Sequence, residues 1–299
     1  MITLELSIIF CVALTQRLVH SDDTDDIKKG HVMIADMILT PEQAQLFDDE
    51  NHVRRHGLVN QDYRWPNAEV PIQFESRFDE TFKKQFRNSA RYISDQTCIK
   101  FLFDVNVDEH PGYVKVVKGR RSECKSQLGF LNQGKQYLAI APRCKKGNII
   151  HELLHTLGLM HMHQASDRDK WIKILWDNIT PGYAKAYAKA DKETSMFDTP
   201  YDYLSIMHYS PLGFSLDRKS PTIVSLKWEE WASTVMGQRK GLSNGDIKRI
   251  NNMYNCPDTY PDDFVRRSNV TIDDEEFVVV TDYSQVLGEV FEPEEDFNV

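Results

Sequence analysis

The sequence predicts an α+β fold, and three observations carry that prediction. Residues 79–94 place Phe82, Phe86, Ala90 and Ile93 at helical spacing, the mark of a helix with one apolar face. Four short runs, 70–74, 99–105, 113–117 and 136–141, read as strands from their β-branched and aromatic content. A second helix is expected over 148–157. Strands plus one long helix ahead of this second helix give a mixed upper half with a site at its floor. A chain of 299 residues with 41% hydrophobic content can bury a sizeable core, and its length allows one or two domains.

The N-terminal residues 1–20 contain an apolar run from Leu6 to Leu14, too short to span a membrane. It reads as a secretory signal cleaved between Ala13 and Ser21, although the start carries Glu5 and no Lys or Arg. An ordinary buried N-terminal helix is the other reading of the same run. Residues 21–55 are polar and end in Arg54-Arg55, a processing site suited to a trypsin-like protease. A mature domain over 56–256 then opens with Arg64-Trp-Pro-Asn, a turn that leads into the Val70–Phe74 strand. The long helix and the remaining strands follow in order.

The helix at 148–157 carries His151-Glu-Leu-Leu-His155-Thr-Leu-Gly158-Leu-Met-His161. At about 3.6 residues per turn, His151 and His155 share one face and can aim imidazole nitrogens at one metal ion. Gly158 can take the positive φ that ends a helix and lets His161 return as a third ligand. Three histidines leave one coordination position open, the pattern of a catalytic rather than a structural zinc. Glu152 is placed to take a proton from water that such an ion has made acidic. Farther on, 181–189 reads as helical, and 237–256 supplies a terminal helix with Leu242-Ser243-Asn244 at its cap.

Ser205-Ile-Met207-His-Tyr209 lies some fifty residues beyond the zinc-helix histidines. It resembles the Met-turn that underlies zinc in the metzincin proteases, and a Tyr directly after Met-His marks the astacin family. The likeness spans 56–256, including the stretch 166–179. It implies the metzincin zinc-protease fold: a twisted, mostly parallel sheet and the active-site helix above, a mainly helical and irregular half below. It also implies one zinc, held by His151, His155 and His161, with Tyr209 as a weak further ligand that turns to the oxyanion. Glu152 would be general base, and Met207 an apolar floor without chemistry. His163 and His208 are assigned structural roles.

The same resemblance implies that Asp36, in Val32-Met-Ile-Ala-Asp-Met37, blocks the zinc before processing. Met33 and Ala35 stand where the family motif has Phe and Gly. Arg239 matches a position that lines the pocket for the residue after the scissile bond, where a guanidinium favours an acidic side chain. Two departures stand out: Met162 replaces a Glu that receives the mature N-terminus, and Ala165 replaces an Arg. The reading therefore expects a mature terminus near His56 that no ion pair locks.

Cys98, Cys124, Cys144 and Cys256 remain once the leader with Cys11 is gone. An even count in a secreted chain suggests two disulfides, and four cysteines allow three connectivities; free thiols are the alternative. The resemblance implies Cys98 with Cys256 and Cys124 with Cys144. Two sequons, at Asn178 and Asn269, suit secretion, with Pro181 close behind the first. The formal net charge is −9, but the tail 257–299 holds 13 Asp or Glu against 2 Arg, so it carries −11 and leaves the rest at +2. Such a tail is expected to be disordered in isolation and an inert tether; a docking segment is the other reading of its β-prone run Phe277–Thr281. The near-neutral body argues against nucleic acid as a partner.

The sequence thus reads as a secreted zinc endopeptidase acting on protein or peptide substrates, made as a zymogen and without a membrane span. The rival reading is a degenerate protease that keeps zinc for shape and captures peptides. Retention of both Glu152 and Tyr209 speaks against it.

Overall fold

Seven strands build the main sheet: β1 (Val32–Ile34), β2 (Met37–Leu39), β3 (Glu69–Phe74), β4 (Lys100–Phe103), β5 (Gly112–Lys118), β6 (Cys124–Gln127) and β7 (Gly134–Ile140). They lie side by side in the order β1-β2-β6-β7-β5-β3-β4. The computed structural model describes residues 30–47, 61–120, 123–190, 197–257, 269–272, 275–278 and 280. The leader at 1–20 and the Arg54-Arg55 processing site lie outside the described residues. β3 pairs parallel with β4 and β5, β5 with β7, and β2 with β6, whereas β6–β7 and β1–β2 are antiparallel. The sheet is therefore mostly parallel, in keeping with an α+β fold.

After a four-residue turn of helix, α1 (Pro41–Ala44), the long helix is α2 (Glu80–Gln96). Asp79 caps it, its carboxylate accepting the Phe82 N–H at 2.8 Å. Phe86, Ala90, Tyr92 and Ile93 bury its apolar face in a core shared with the sheet and with α3 (Lys146–Leu157). Helix α3 starts two residues before the expected 148 because Asn148 sits inside its first turn, its side-chain oxygen accepting the Lys145 N–H at 3.1 Å. Gly147 is required there: a Cβ would meet the Arg239 carbonyl at 1.9 Å, so the helix start presses directly on another backbone.

The lower half holds a two-stranded antiparallel sheet, β8 (Ile172–Ile174) with β9 (Ile223–Ser225), then α4 (Glu229–Val235) and α5 (Asn244–Tyr254). The helix expected over 181–189 is only a 3₁₀ turn, Ala184–Tyr187. Its carbonyls are taken by side chains: Ala186 accepts from His163 at 2.9 Å and from Gln164 at 3.1 Å, and Tyr187 accepts from Arg168. Those carbonyls would be unpaired at the end of an α-helix in any case; what stops the helix is its start, where Gly182 takes a left-handed φ of 94°. Asn178 donates its side-chain amide to the Pro221 carbonyl at 2.7 Å.

Of the tail, residues 257, 269–272, 275–278 and 280 are described. β10 (Asn269–Ile272) and β11 (Glu275–Val278) form an antiparallel hairpin, and Val280 donates its N–H to Leu242 at 2.8 Å and is fully buried. Val280 belongs to the β-prone run, so one apolar side chain of the tail is buried while its N–H bonds the chain just ahead of α5.

Both expected disulfides are formed, Cys98–Cys256 and Cys124–Cys144, with Cα atoms 5.5 and 6.4 Å apart. The first closes a sequence separation of 158 residues, the second pins the β6–β7 hairpin ahead of α3. Replacing Cys98 and Cys256 together by Ser is expected to lower stability by about 2–5 kcal/mol. Denaturant unfolding of the processed protein measures this, and a change under about 0.5 kcal/mol refutes it. Among the described residues no helix is long and apolar enough to cross a membrane.

Candidate active site

Helix α3 is apolar enough to run through the core, and every residue from Ile149 to Leu157 is buried. Gly158 ends it at φ 105°, its N–H bonded to His155 O at 2.8 Å, and the chain turns back to present His161. The ring nitrogens of His151, His155 and His161 and a carboxylate oxygen of Asp36 all lie within 4.8 Å of one another. Asp36 oxygens stand 3.2 Å from His151 Nε2, 3.6 Å from His155 Nε2 and 3.0 Å from His161 Nε2.

The orientation of two rings is fixed from behind. His151 Nδ1 donates to Ile206 O at 2.8 Å, and His155 Nδ1 donates to Leu159 O at 2.7 Å. That leaves each Nε2 as a bare lone pair turned toward Asp36 and the neighbouring rings, with His155 and His161 Nε2 atoms 3.2 Å apart. Lone pairs and a carboxylate converging in a buried space call for a cation. The donor set, neutral imidazoles and one carboxylate oxygen, suits zinc. Two further buried atoms, Glu152 Oε2 and the Tyr209 hydroxyl, have no hydrogen-bond partner, as expected of groups shaped for a ligand or ion.

Electrostatics agree with this reading. Burial, then the Arg239 charge, push His151 down to about 3, and burial lowers His161 as well, so both favour the neutral form that binds metal. Burial pushes the Asp36 carboxyl up, but the imidazole cluster, His161 foremost, outweighs it and holds the group well below its usual range. Glu152 is raised by burial and by the Asp36 charge, with Arg239 and Lys125 pulling the other way. Tyr209 is raised by burial and by Asp36.

The other residues singled out in the sequence gather around this centre. The Tyr209 ring packs on His161 at 4.5 Å and on His163 at 3.9 Å between centroids. Met207 is fully buried, and its carbonyl accepts the Met162 N–H at 2.9 Å. His208 donates to Tyr209 O at 2.7 Å, receives the Tyr201 hydroxyl at 2.7 Å, and is pushed down to about 4 by burial. Arg239 Nη1 donates to Ile206 O at 2.8 Å and His208 O at 3.2 Å, so it braces the turn as well as charging the site. Ala165 is buried, and the Met162 thioether accepts from Arg249 Nη2 at 3.1 Å.

Asp36 reaches the histidines because β1 and β2 form a tight hairpin with Ile34 opposite Met37. Ala35 takes the left-handed φ of 57° in that turn, so the position lacking glycine is strained but passable. Met33 is exposed, which explains why a Phe is dispensable there. Sequence reasoning missed the hairpin itself and the polar bracket of Ser205 and Asp246 beneath the Met-turn. The only signal of the latter is the Ser243-x-x-Asp246 capping box of α5.

Residues 57–255 match the family model described as Astacin, a peptidase family. The chain is 37% identical to seminal metalloprotease 1 of Drosophila melanogaster over 213 residues, 68% of this chain and 82% of that protein. It is 34% identical to zinc metalloproteinase nas-4 of Caenorhabditis elegans, covering 78% of this chain and 72% of that one. Among solved structures it is similar to high choriolytic enzyme 1, a hatching enzyme zinc-protease from Oryzias latipes. That match has a TM-score of 0.60 at 33% identity, over 66% of this chain and 97% of the other. The zinc-competent histidine cluster and these matches agree, and the chain belongs to the astacin family of zinc metalloendopeptidases.

Proposed function

We propose that the chain is a secreted zymogen of an endopeptidase that cleaves internal peptide bonds of proteins, activated by a trypsin-like cut at Arg54 or Arg55. The observation that carries this reading is Asp36, an anion 3.0–3.6 Å from all three histidines, on a segment that precedes the family domain. In this latent state the Asp36 carboxylate fills the space between the three histidines and would be a fourth ligand to the metal they hold, in place of water. Parallel pairing of β2 with β6, Met37 opposite Ser126 and Ile38 opposite Gln127, keeps it there. Two formed disulfides and the apolar leader support secretion.

When bound, zinc acidifies a water and polarises the scissile carbonyl. His151, His155 and His161 would hold it as neutral imidazoles. Glu152 takes a proton from the attacking water and returns it to the departing amine. The Tyr209 hydroxyl, which has no partner in the latent state, donates to the oxyanion as it develops. Met207 closes the site from below with an apolar surface. Arg239 places positive charge beside the site and favours an acidic side chain after the scissile bond. Asn269 is the better glycan acceptor, since the Asn178 amide is already bonded to Pro221.

The full-length chain is expected to be silent toward casein, to gain activity on limited trypsin treatment, and to lose it with a zinc chelator. Sequencing of the new N-terminus locates the cut. Equal activity before and after trypsin overturns the zymogen reading, and chelator-resistant activity overturns the zinc reading.

A further inference from the structure

Of the two histidines anchored through Nδ1, His155 is tied within its own helix exit, to Leu159. His151 is tied to Ile206, fifty-five residues away and outside any helix or strand. Arg239 Nη1 donates to that carbonyl from one side at 2.8 Å, and the peptide unit it belongs to is held from the other. The peptide unit that contains it also contains the Met207 N–H, which donates to Ser205 Oγ at 3.1 Å. Ser205 Oγ in turn donates to Asp246 Oδ1 at 2.5 Å. The donors thus all point one way: imidazole to carbonyl, amide to hydroxyl, hydroxyl to carboxylate.

We propose that Ser205 and Asp246 are positioning residues for His151, the far end of a carboxylate–hydroxyl–peptide–histidine relay that orients this ligand toward the metal. The proposal rests on the zinc site described above. Hydrogen bonds in series polarise one another, so a carboxylate at the end of the chain strengthens the carbonyl as an acceptor and makes the imidazole more basic. Burial favours this, because Ser205, Ile206, Met207 and Asp246 are all fully shielded from solvent. Asp246 is itself held in place: its other oxygen accepts the Ile206 N–H at 2.9 Å and the Ser243 N–H at 3.1 Å, and Arg249 Nη1 lies 3.8 Å from Oδ1. Asp246, the third residue of α5 and the partner of the Ser243 cap, therefore also fixes the geometry of the Met-turn.

The test measures zinc affinity, independent of turnover, on the trypsin-processed protein by competition with a chromophoric chelator. Ser205→Ala is expected to weaken zinc binding by about 10–100-fold, the range seen when partners behind a metal ligand are removed. Ser205→Thr, which keeps the hydroxyl, is expected to restore it. If Ser205→Ala does not fold, Ser205→Cys supplies the comparison with a weaker donor, and an affinity below that of Ser205→Thr is expected. Asp79→Ala removes the cap of α2, whose carboxylate accepts the Phe82 N–H and touches no member of the relay; it should lower the melting temperature and leave zinc affinity unchanged. Zinc affinity of Ser205→Ala or Ser205→Cys within about twofold of the parent overturns the relay. Failure of the parent to bind zinc, or unchanged binding by His151→Ala, overturns the site reading instead.

Discussion

Glu152→Ala is expected to keep its zinc and lose peptide cleavage by about 10²–10⁴-fold in kcat, the usual contribution of a positioned proton-transfer group. The two halves of that result follow from different features. Glu152 is absent from the set of atoms that converge on the centre, which consists of the three histidines and Asp36, so the metal loses no ligand. Yet its carboxylate is buried one residue from His151 with Oε2 unpaired, poised for a proton that arrives only with water and substrate. Metal analysis and a quenched-peptide assay on one processed sample decide the matter. Cleavage above about a tenth of the parent rate removes Glu152 from the role of base.

Asp36→Ala is expected to make the unprocessed chain leak. Charge-assisted contacts of this kind contribute about 1.5–3 kcal/mol, so latency should fall about 10–100-fold. It should not vanish, because β2 still pairs with β6 through Met37 and Ile38 and still covers the site. The assay uses a background with Arg54→Gln and Arg55→Gln, so that no processed enzyme contributes. A mutant as silent as its parent assigns latency to strand pairing alone.

The active site was legible because its signal is local. His151, Glu152 and His155 share one helix, and Gly158 and His161 follow within six residues of His155. The parallel strands were legible for a similar reason, since β3, β5 and β7 each carry enough β-branched and aromatic residues to declare themselves without their neighbours. What escaped depends on partners distant in sequence. β6, Cys-Lys-Ser-Gln, has no β-forming composition and exists because β7, β2 and a disulfide hold it. The 181–189 stretch ends as a 3₁₀ turn bonded to His163, Gln164 and Arg168, partners that no window over 181–189 contains, after Gly182 has taken a left-handed φ of 94°. Asp246 went unread beside the Ser243 cap, because its bond to Ser205 crosses 41 residues.

The proposed activation would remove the β1–β2 hairpin, and that loss is expected to change how the protein behaves in concentrated solution. While attached, the hairpin pairs with β6 and covers that side of the sheet. Its removal turns β6 into an open rim, the kind of feature that recruits other chains and drives self-association. The rim is guarded in three ways: it is four residues long, it is stapled through Cys124, and it carries Lys125, paired with Glu123 at 2.9 Å. Colloidal behaviour should therefore diverge between the two forms, with the latent one tolerating concentrations at which the processed one begins to pair, and with Lys125 as the residue that sets the margin.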